Sequence, residues 1–165
     1  KAIRRQRQLC IRDRFTLTLS RVYRRVLERR KQILSTLAEE IDFTWQYYTL
    51  QKIRFDDRIE LTSAIDPALR NWRIPSMSLQ TLVENAVKHN SITGGNPLHI
   101  RIRTEGESFL IENNYTPRSD GDKESLGMGL ERIRSVYRFY TEENISISVG
   151  AGTFRCRLPL LPPEK

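Results

Sequence analysis

Apolar residues recur along this chain in two periods, and the period changes near residue 57. Leu19, Val22, Tyr23, Val26 and Leu27 fall at i, i+3, i+4, i+7 and i+8, which predicts one stripe of a helix over residues 17–34. Arginines fill its other faces. Thr36-Leu-Ala-Glu39 reads as a capping box, in which the threonine accepts from a free N–H and Glu39 reaches back. The pattern therefore predicts a break at residues 35–36 and a second helix from Leu37 to about Phe55, with Ile41, Trp45 and Tyr48 on its apolar face. Two helices with a short join predict an antiparallel pair or part of a bundle.

Beyond Asp56-Asp57, Ile59, Leu61, Ser63 and Ile65 alternate with polar neighbours and predict a strand, closed by Asp66-Pro67. Pro75, with Ser76 and Ser78 as candidate caps, opens a helix whose stripe is Leu79, Leu82, Val83, Ala86 and Val87. Thr93-Gly-Gly-Asn-Pro97 ends that region in a loop. Leu98, Ile100 and Ile102 alternate, Glu105-Gly106 turns, and Phe109-Leu-Ile111 returns. Residues 115–126 are polar and irregular, a loop long enough for a lid. Gly127-Met-Gly-Leu130 then leads into a helix to about Tyr140. Alternation at Ile145, Ile147 and Val149, a turn at Gly150-Ala-Gly152, and alternation at Phe154, Cys156 and Leu158 complete the chain. The order predicts an α+β domain, with helices layered on one face of a mixed sheet.

Charge divides the chain where the periodicity does not. The formal net charge is +8, yet residues 1–32 alone hold 12 basic and two acidic residues, and the remainder is net −2. Clustered arginine suits phosphate neutralisation on nucleic acid, a juxtamembrane cytoplasmic helix, or a solvated helix face; composition leaves the three open. No stretch approaches the roughly 18 apolar residues of a membrane span. Cys10 and Cys156 stand at opposite ends, without a CxxC or a His-Cys cluster, which excludes a zinc site and a disulfide framework and fits a reduced compartment. The chain begins with Lys1 and reads as a fragment of a longer protein.

Three short segments carry candidate chemistry. On the helix after Pro75, Asn85 and His89 lie four apart on one flank, Lys88 lies within reach of Asn85, and Glu84 lies farther round. A carboxamide oxygen suits Mg²⁺, which prefers oxygen and keeps much of its water, and a lysine one turn away can neutralise phosphate. Gly127-Met-Gly129 before a helix lets backbone N–H groups approach an anion. Gly150-Ala-Gly-Thr153 offers a hydroxyl at a turn. Each segment also has a plain structural reading as an exposed helix face, a loop-to-helix turn or a hairpin.

In this order the segments resemble one family. Leu79-Gln-Thr-Leu-Val-Glu-Asn-Ala-Val-Lys-His-Asn90 resembles the N-box of the histidine-kinase ATPase domain, the Bergerat fold. Gly127-Met-Gly-Leu-Glu-Arg-Ile-Arg134 resembles its second glycine box, and Gly150-Ala-Gly-Thr153 its last Gly-Thr turn. Leu19-Ser20, Tyr47-Tyr-Thr-Leu-Gln-Lys-Ile-Arg-Phe55 and Arg73-Ile-Pro75 resemble the LytS-like branch of sensor histidine kinases. The resemblance implies a two-layer α/β sandwich with a mixed sheet over residues 57–165, preceded by an N-terminal helical pair in residues 1–56, part of a dimerisation region. It implies ATP and Mg²⁺ as cofactors, with Asn85 on the metal, Lys88 and His89 on phosphate, and residues 115–126 as the lid. Gly127, Gly129 and the backbone of Leu130 would hold the phosphate tail. Asn113 and Thr153 would lie at the adenine, and Glu84 and Lys88 would assist the reaction.

The implied activity is transfer of the ATP γ-phosphoryl to a histidine upstream of Lys1, then to a response regulator. The implied assembly is a homodimer through the N-terminal helices. The upstream transmembrane sensor of the same chain would place this part on the cytoplasmic side of a bacterial inner membrane, without nucleic-acid binding. Two departures stand against this pattern. Asn113 replaces the usual aspartate of the adenine box, with Tyr115 and Pro117 replacing its glycines and Leu126 a usual threonine. Neither His89 nor His99 is a phosphoacceptor, so the fragment would not autophosphorylate. The alternatives are a degenerate pseudokinase acting as a scaffold, a serine kinase of the anti-sigma type, and a DNA-binding protein using the basic segment.

Overall fold

The computed structural model describes residues 32–117 and 123–163, with the backbone alone for residues 123–127. The helical stripe Leu19–Leu27 and the middle of the expected lid lie outside these residues. Seven strands and three α-helices are described: β1 (Leu34–Thr36), α1 (Leu37–Phe55), β2 (Ile59–Ala64), β3 (Arg73–Pro75), α2 (Ser78–His89), β4 (Leu98–Glu105), β5 (Ser108–Asn114), α3 (Lys123–Tyr137), β6 (Ser146–Gly150) and β7 (Thr153–Pro159).

The expected capping box is present. Glu39 N–H donates to Thr36 Oγ1 and Thr36 N–H donates to Glu39 Oε2. The helix it starts runs over the residues the pattern indicated. Leu34, however, is not helical. It begins the short strand β1, which pairs antiparallel with β3 (Leu34 opposite Pro75, Thr36 opposite Arg73). Three residues are too few to show a period, so only their distant partner identifies them as a strand. The chain then holds α1 in place through Leu37 N–H to Trp72 O and Ala38 N–H to Arg70 O, at 2.7 and 2.9 Å.

Five strands form the main sheet in the order β2-β4-β5-β7-β6. β2 and β4 are parallel, because α2 lies on the connection between them; the other neighbours are antiparallel. The sheet is therefore mixed, as expected. The β6–β7 turn holds Ala151 and Gly152 at φ 49° and 70°, the two consecutive left-handed residues of a tight hairpin.

Alternation gives the sheet one dry face and one wet face. Ile59, Leu61, Ile100, Ile102, Phe109, Ile111, Cys156 and Leu158 are buried on the helix side. Leu79, Leu82, Val83, Ala86 and Val87 of α2, Ile41, Tyr48 and Phe55 of α1, and Leu130, Ile133 and Tyr137 of α3 join them in one core. Because α1 shares this core, the packing of the described residues does not divide at residue 56. On the wet face, Glu112 of β5 accepts from Arg155 at 2.6 Å and also from Arg103.

Two expected helix starts move. Neither Ser76 nor Ser78 caps α2. The cap position is Met77, at φ 70° and without a side-chain bond, and Ser78 Oγ donates instead to Pro75 O at 2.6 Å. The loop of residues 115–126 is shorter than its polarity indicated, since α3 begins at Lys123. Glu124 and Ser125 are compatible with a helix, and polarity alone does not separate a helix's first turn from a loop. The same helix ends at Tyr137 and not Tyr140, the last three residues forming a turn.

Burial pushes the Cys156 thiol up to about 12, with Arg134 pulling the other way. Since an unfolded thiol titrates near pH 8.5, the folded state holds this proton more tightly, and its stabilisation is complete below about pH 8.5 and fades as pH rises toward 12. The burial-raised Tyr137 phenol acts in the same direction. Urea melts between pH 7.5 and 10 should show stability falling, by up to about 1.4 kcal/mol per pH unit from a single such group. Cys156→Ala should flatten that slope; parallel slopes for the two proteins would contradict this assignment.

Candidate functional site

Helix α2 presents its stripe to the core and its remaining residues to three directions. Asn85 and His89, one turn apart, line a cavity with Ala86, Asn90, Asn113, Tyr115 and Phe154. Residues from the N-box helix, from the end of β5 and from β7 thus converge. Asn85 Nδ2 is buried there without a hydrogen-bond partner, a state that a native site usually resolves with water or ligand. Lys88, on the same helix, is exposed and does not line the cavity.

Glu84 faces another way. It is exposed, accepts from Gln80 Nε2 at 3.0 Å, and its charge bears on Tyr47 of α1. The Tyr47 phenol is held above its ordinary value first by burial and then by that carboxylate. The structure therefore brings Asn85, His89 and Asn113 together and leaves Glu84 on the flank toward α1.

The second glycine box has a different geometry from the one expected. Gly127 and Gly129 lie inside α3, the fifth and seventh residues of the helix, and not ahead of its N-terminus. Only the first four N–H groups of a helix lack an internal partner, so these two are not the free donors the sequence suggested. Gly129 instead permits a helix crossing: a Cβ there would stand 2.7 Å from Thr81 Cγ2 and 4.0 Å from Asn85 Nδ2. Leu130 is a core residue at 5% exposure.

Register also separates the residues of the last turn. Thr153 and Phe154 are neighbours on β7 and so point to opposite faces. Phe154 lines the cavity with Asn85, whereas Thr153 lines a groove of about 440 Å³ on the wet face, with Glu60, Thr62, His99, Arg101 and Arg155. That groove is far roomier, but its charges are largely paired, His99 Nδ1 with Glu60 at 2.9 Å and Arg155 with Glu112.

The cavity itself is small, at about 10 Å³, about the room that one ordered water needs. Three bonds hold its rim. Tyr115 N–H donates to Gly152 O, Thr116 N–H to Asn90 Oδ1, and Ser91 N–H to Thr116 O, at 2.7, 2.7 and 2.8 Å. Asn90 Nδ2 also donates to Ala86 O, so one carboxamide ends α2 and fastens the segment after β5. Asn90 and Tyr115 as parts of the rim, and Phe154, were not singled out from the sequence. The alternation Phe154, Cys156, Leu158 was the available signal for Phe154.

Asn113 is 4% exposed, and its Nδ2 donates to Asn114 O at 2.6 Å. This bond fixes the amide so that its oxygen is the group left to accept from a ligand. Asn113→Asp would set a carboxylate oxygen against that carbonyl, and should cost roughly 1–3 kcal/mol of stability. Chemical denaturation at pH 7 reads this directly. A variant as stable as the wild type would contradict the orientation assigned to Asn113.

A family model described as histidine kinase matches residues 5–59. The sensor histidine kinase BtsS of Escherichia coli K12 is 33% identical over 137 residues, 79% of this chain and 24% of BtsS. The sensor histidine kinase YesM of Bacillus subtilis 168 is 30% identical over 141 residues, 81% of this chain and 23% of YesM. The chain thus spans about a quarter of the length of these relatives. A nucleotide-free catalytic domain of histidine kinase ThkA superposes with a TM-score of 0.54 at 18% identity, over 78% of this chain and 97% of that one. The cytoplasmic segment of histidine kinase QseC superposes with 0.53 at 13%, over 92% and 94%. These likenesses establish a histidine-kinase catalytic fold.

Proposed function

The chain belongs to the sensor histidine kinases, and on that premise we propose that it is the ATP-binding catalytic part of a two-component sensor kinase. It transfers the γ-phosphoryl of ATP to a histidine nitrogen upstream of Lys1, and the phosphoryl then passes to an aspartate of a response regulator. The observation that carries this reading is the convergence of Asn85, His89 and Asn113 on one cavity.

The donor set fits Mg²⁺ and phosphate better than it fits the base. Among the described residues no group of three or more His, Cys, Asp or Glu side chains is placed to hold a metal. A nucleotide-bound Mg²⁺ needs fewer protein ligands, since phosphate oxygens and water complete its shell. Asn85 supplies the carboxamide oxygen. Phosphoryl transfer asks the protein mainly for position and charge neutralisation. Lys88 supplies a cation one turn along α2, and His89 a further donor. Asn113 accepts from the adenine amino group, without the charge of an aspartate. A base requires more than about 10 Å³, so binding displaces the Tyr115 side chain from the cavity.

The basic segment, with its stripe Leu19–Leu27, belongs in this reading to a dimerisation region shared between two copies, next to an upstream membrane-spanning sensor. No helix among the described residues is long and apolar enough to cross a membrane. The division at residue 56 then marks where the dimerisation sequence ends and not where a separate core begins.

A second reading, a pseudokinase that scaffolds a dimer, is favoured by the small cavity and by Tyr115 and Pro117 at its rim. Calorimetry with Mg·ATP separates the two. The kinase reading predicts a Kd in the micromolar-to-millimolar range, weakened about tenfold or more by Asn85→Ala. It also predicts transfer of labelled phosphoryl to a longer chain that includes the upstream histidine. No binding by the wild type at millimolar ATP would favour the scaffold.

A further inference from the structure

We propose that Glu40 is a positioning residue for the nucleotide site, a carboxylate on α1 that caps α2 and fixes where Asn85 and His89 stand. The proposal rests on the kinase reading for its functional consequence, and on geometry alone for the cap.

The first turn of a helix leaves up to four N–H groups without internal partners. In α2 the local sequence does not satisfy them. Met77 at the cap position has no accepting side-chain bond, and the Ser78 hydroxyl is turned back to Pro75 O. The acceptor comes from 37 and 39 residues earlier: Glu40 Oε1 accepts from Met77 N–H at 3.0 Å and Oε2 from Leu79 N–H at 3.2 Å. Glu40 is fully buried, at 0% exposure. A buried carboxylate that uses both oxygens on a helix N-terminus gains from charge-assisted hydrogen bonds and from the helix dipole together. The adjacent Glu39 has a different task, closing the capping box of its own helix.

What the cap positions follows from the next two turns of α2. Thr81, whose N–H donates to Met77 O at 3.0 Å, stands against the place where a Cβ on Gly129 would clash, and Asn85 lies one turn on against the same glycine. The helix has little room to shift there without changing its contact with α3 or the Asn85 wall of the cavity. The Glu40 clamp sets that position from α1, which follows strand β1.

Glu40→Gln tests this with little change of volume. An amide keeps one accepting oxygen but turns its NH₂ toward the second N–H, so one of the two bonds is lost. A core truncation across the sheet, Leu158→Ala, is the control for simple destabilisation. In spectra of the full chain, Glu40→Gln should move the Met77 and Leu79 amide resonances and also the side-chain amide of Asn85. It should weaken Mg·ATP binding about tenfold or more, since sub-ångström misplacement of binding groups is costly. Glu40→Asp, which keeps the charge on a shorter stem, should recover part of the affinity. Leu158→Ala should lower the melting temperature and leave the Asn85 resonance and the affinity nearly unchanged. If Glu40→Gln behaves like Leu158→Ala, with Asn85 and the affinity unmoved, the proposal is overturned. If the wild type binds no nucleotide, the kinase reading fails, and the Asn85 resonance alone decides whether Glu40 positions it.

Discussion

The fold depends on how the N-terminus of one helix is satisfied. Helix α2 is pressed into the core along its whole stripe, so its first N–H groups have little access to water, and leaving them bare would cost free energy comparable to lost hydrogen bonds. The Glu40 carboxylate, buried on α1, meets two of them. The α2 N–H groups help to hold this carboxylate inside, and α2 starts against an acceptor that α1 brings. Helix α1 is in turn anchored by its own capping box and by Arg70 and Trp72 carbonyls. These contacts make two helices and the β1–β3 pair one unit on which the sheet is laid.

The site follows from that unit. With α2 fixed, Asn85 and His89 reach the end of β5, where Asn113 is the last core-facing residue of its strand. Asn90 then stitches the following segment to the end of α2. Gly129 lets α3 close over the same turn. The result is a small cavity with largely apolar walls, bounded by a rim of three hydrogen bonds.

Much of this was legible in the sequence where one residue's chemistry acts locally. The Thr36–Glu39 box set the start of α1, and the stripe from Leu79 to Val87 set the buried face of α2. Strict alternation gave β2, β4 and β7 their faces. What stayed hidden was non-local. Nothing near Leu34 reveals a strand whose partner is Arg73–Pro75. Glu40 looks like any first-turn acid until Met77 and Leu79 are beside it in space. Gly127 and Gly129 read as a loop because glycine usually ends helices; in the structure the second of them is there for a helix crossing. Thr153 was one residue off the cavity, and in a strand one residue is the whole difference between faces.

The central claim is that the small cavity at Asn85, and not the large groove on the wet face, is where nucleotide binds. Amide and side-chain resonances followed during titration with Mg²⁺ and a non-hydrolysable ATP analogue test it most directly. The account predicts the largest changes at Asn85, Tyr115 and Gly129, with little change at His99, Arg101 and Arg155. Changes centred on those three residues, with Asn85 and Tyr115 unmoved, would contradict it.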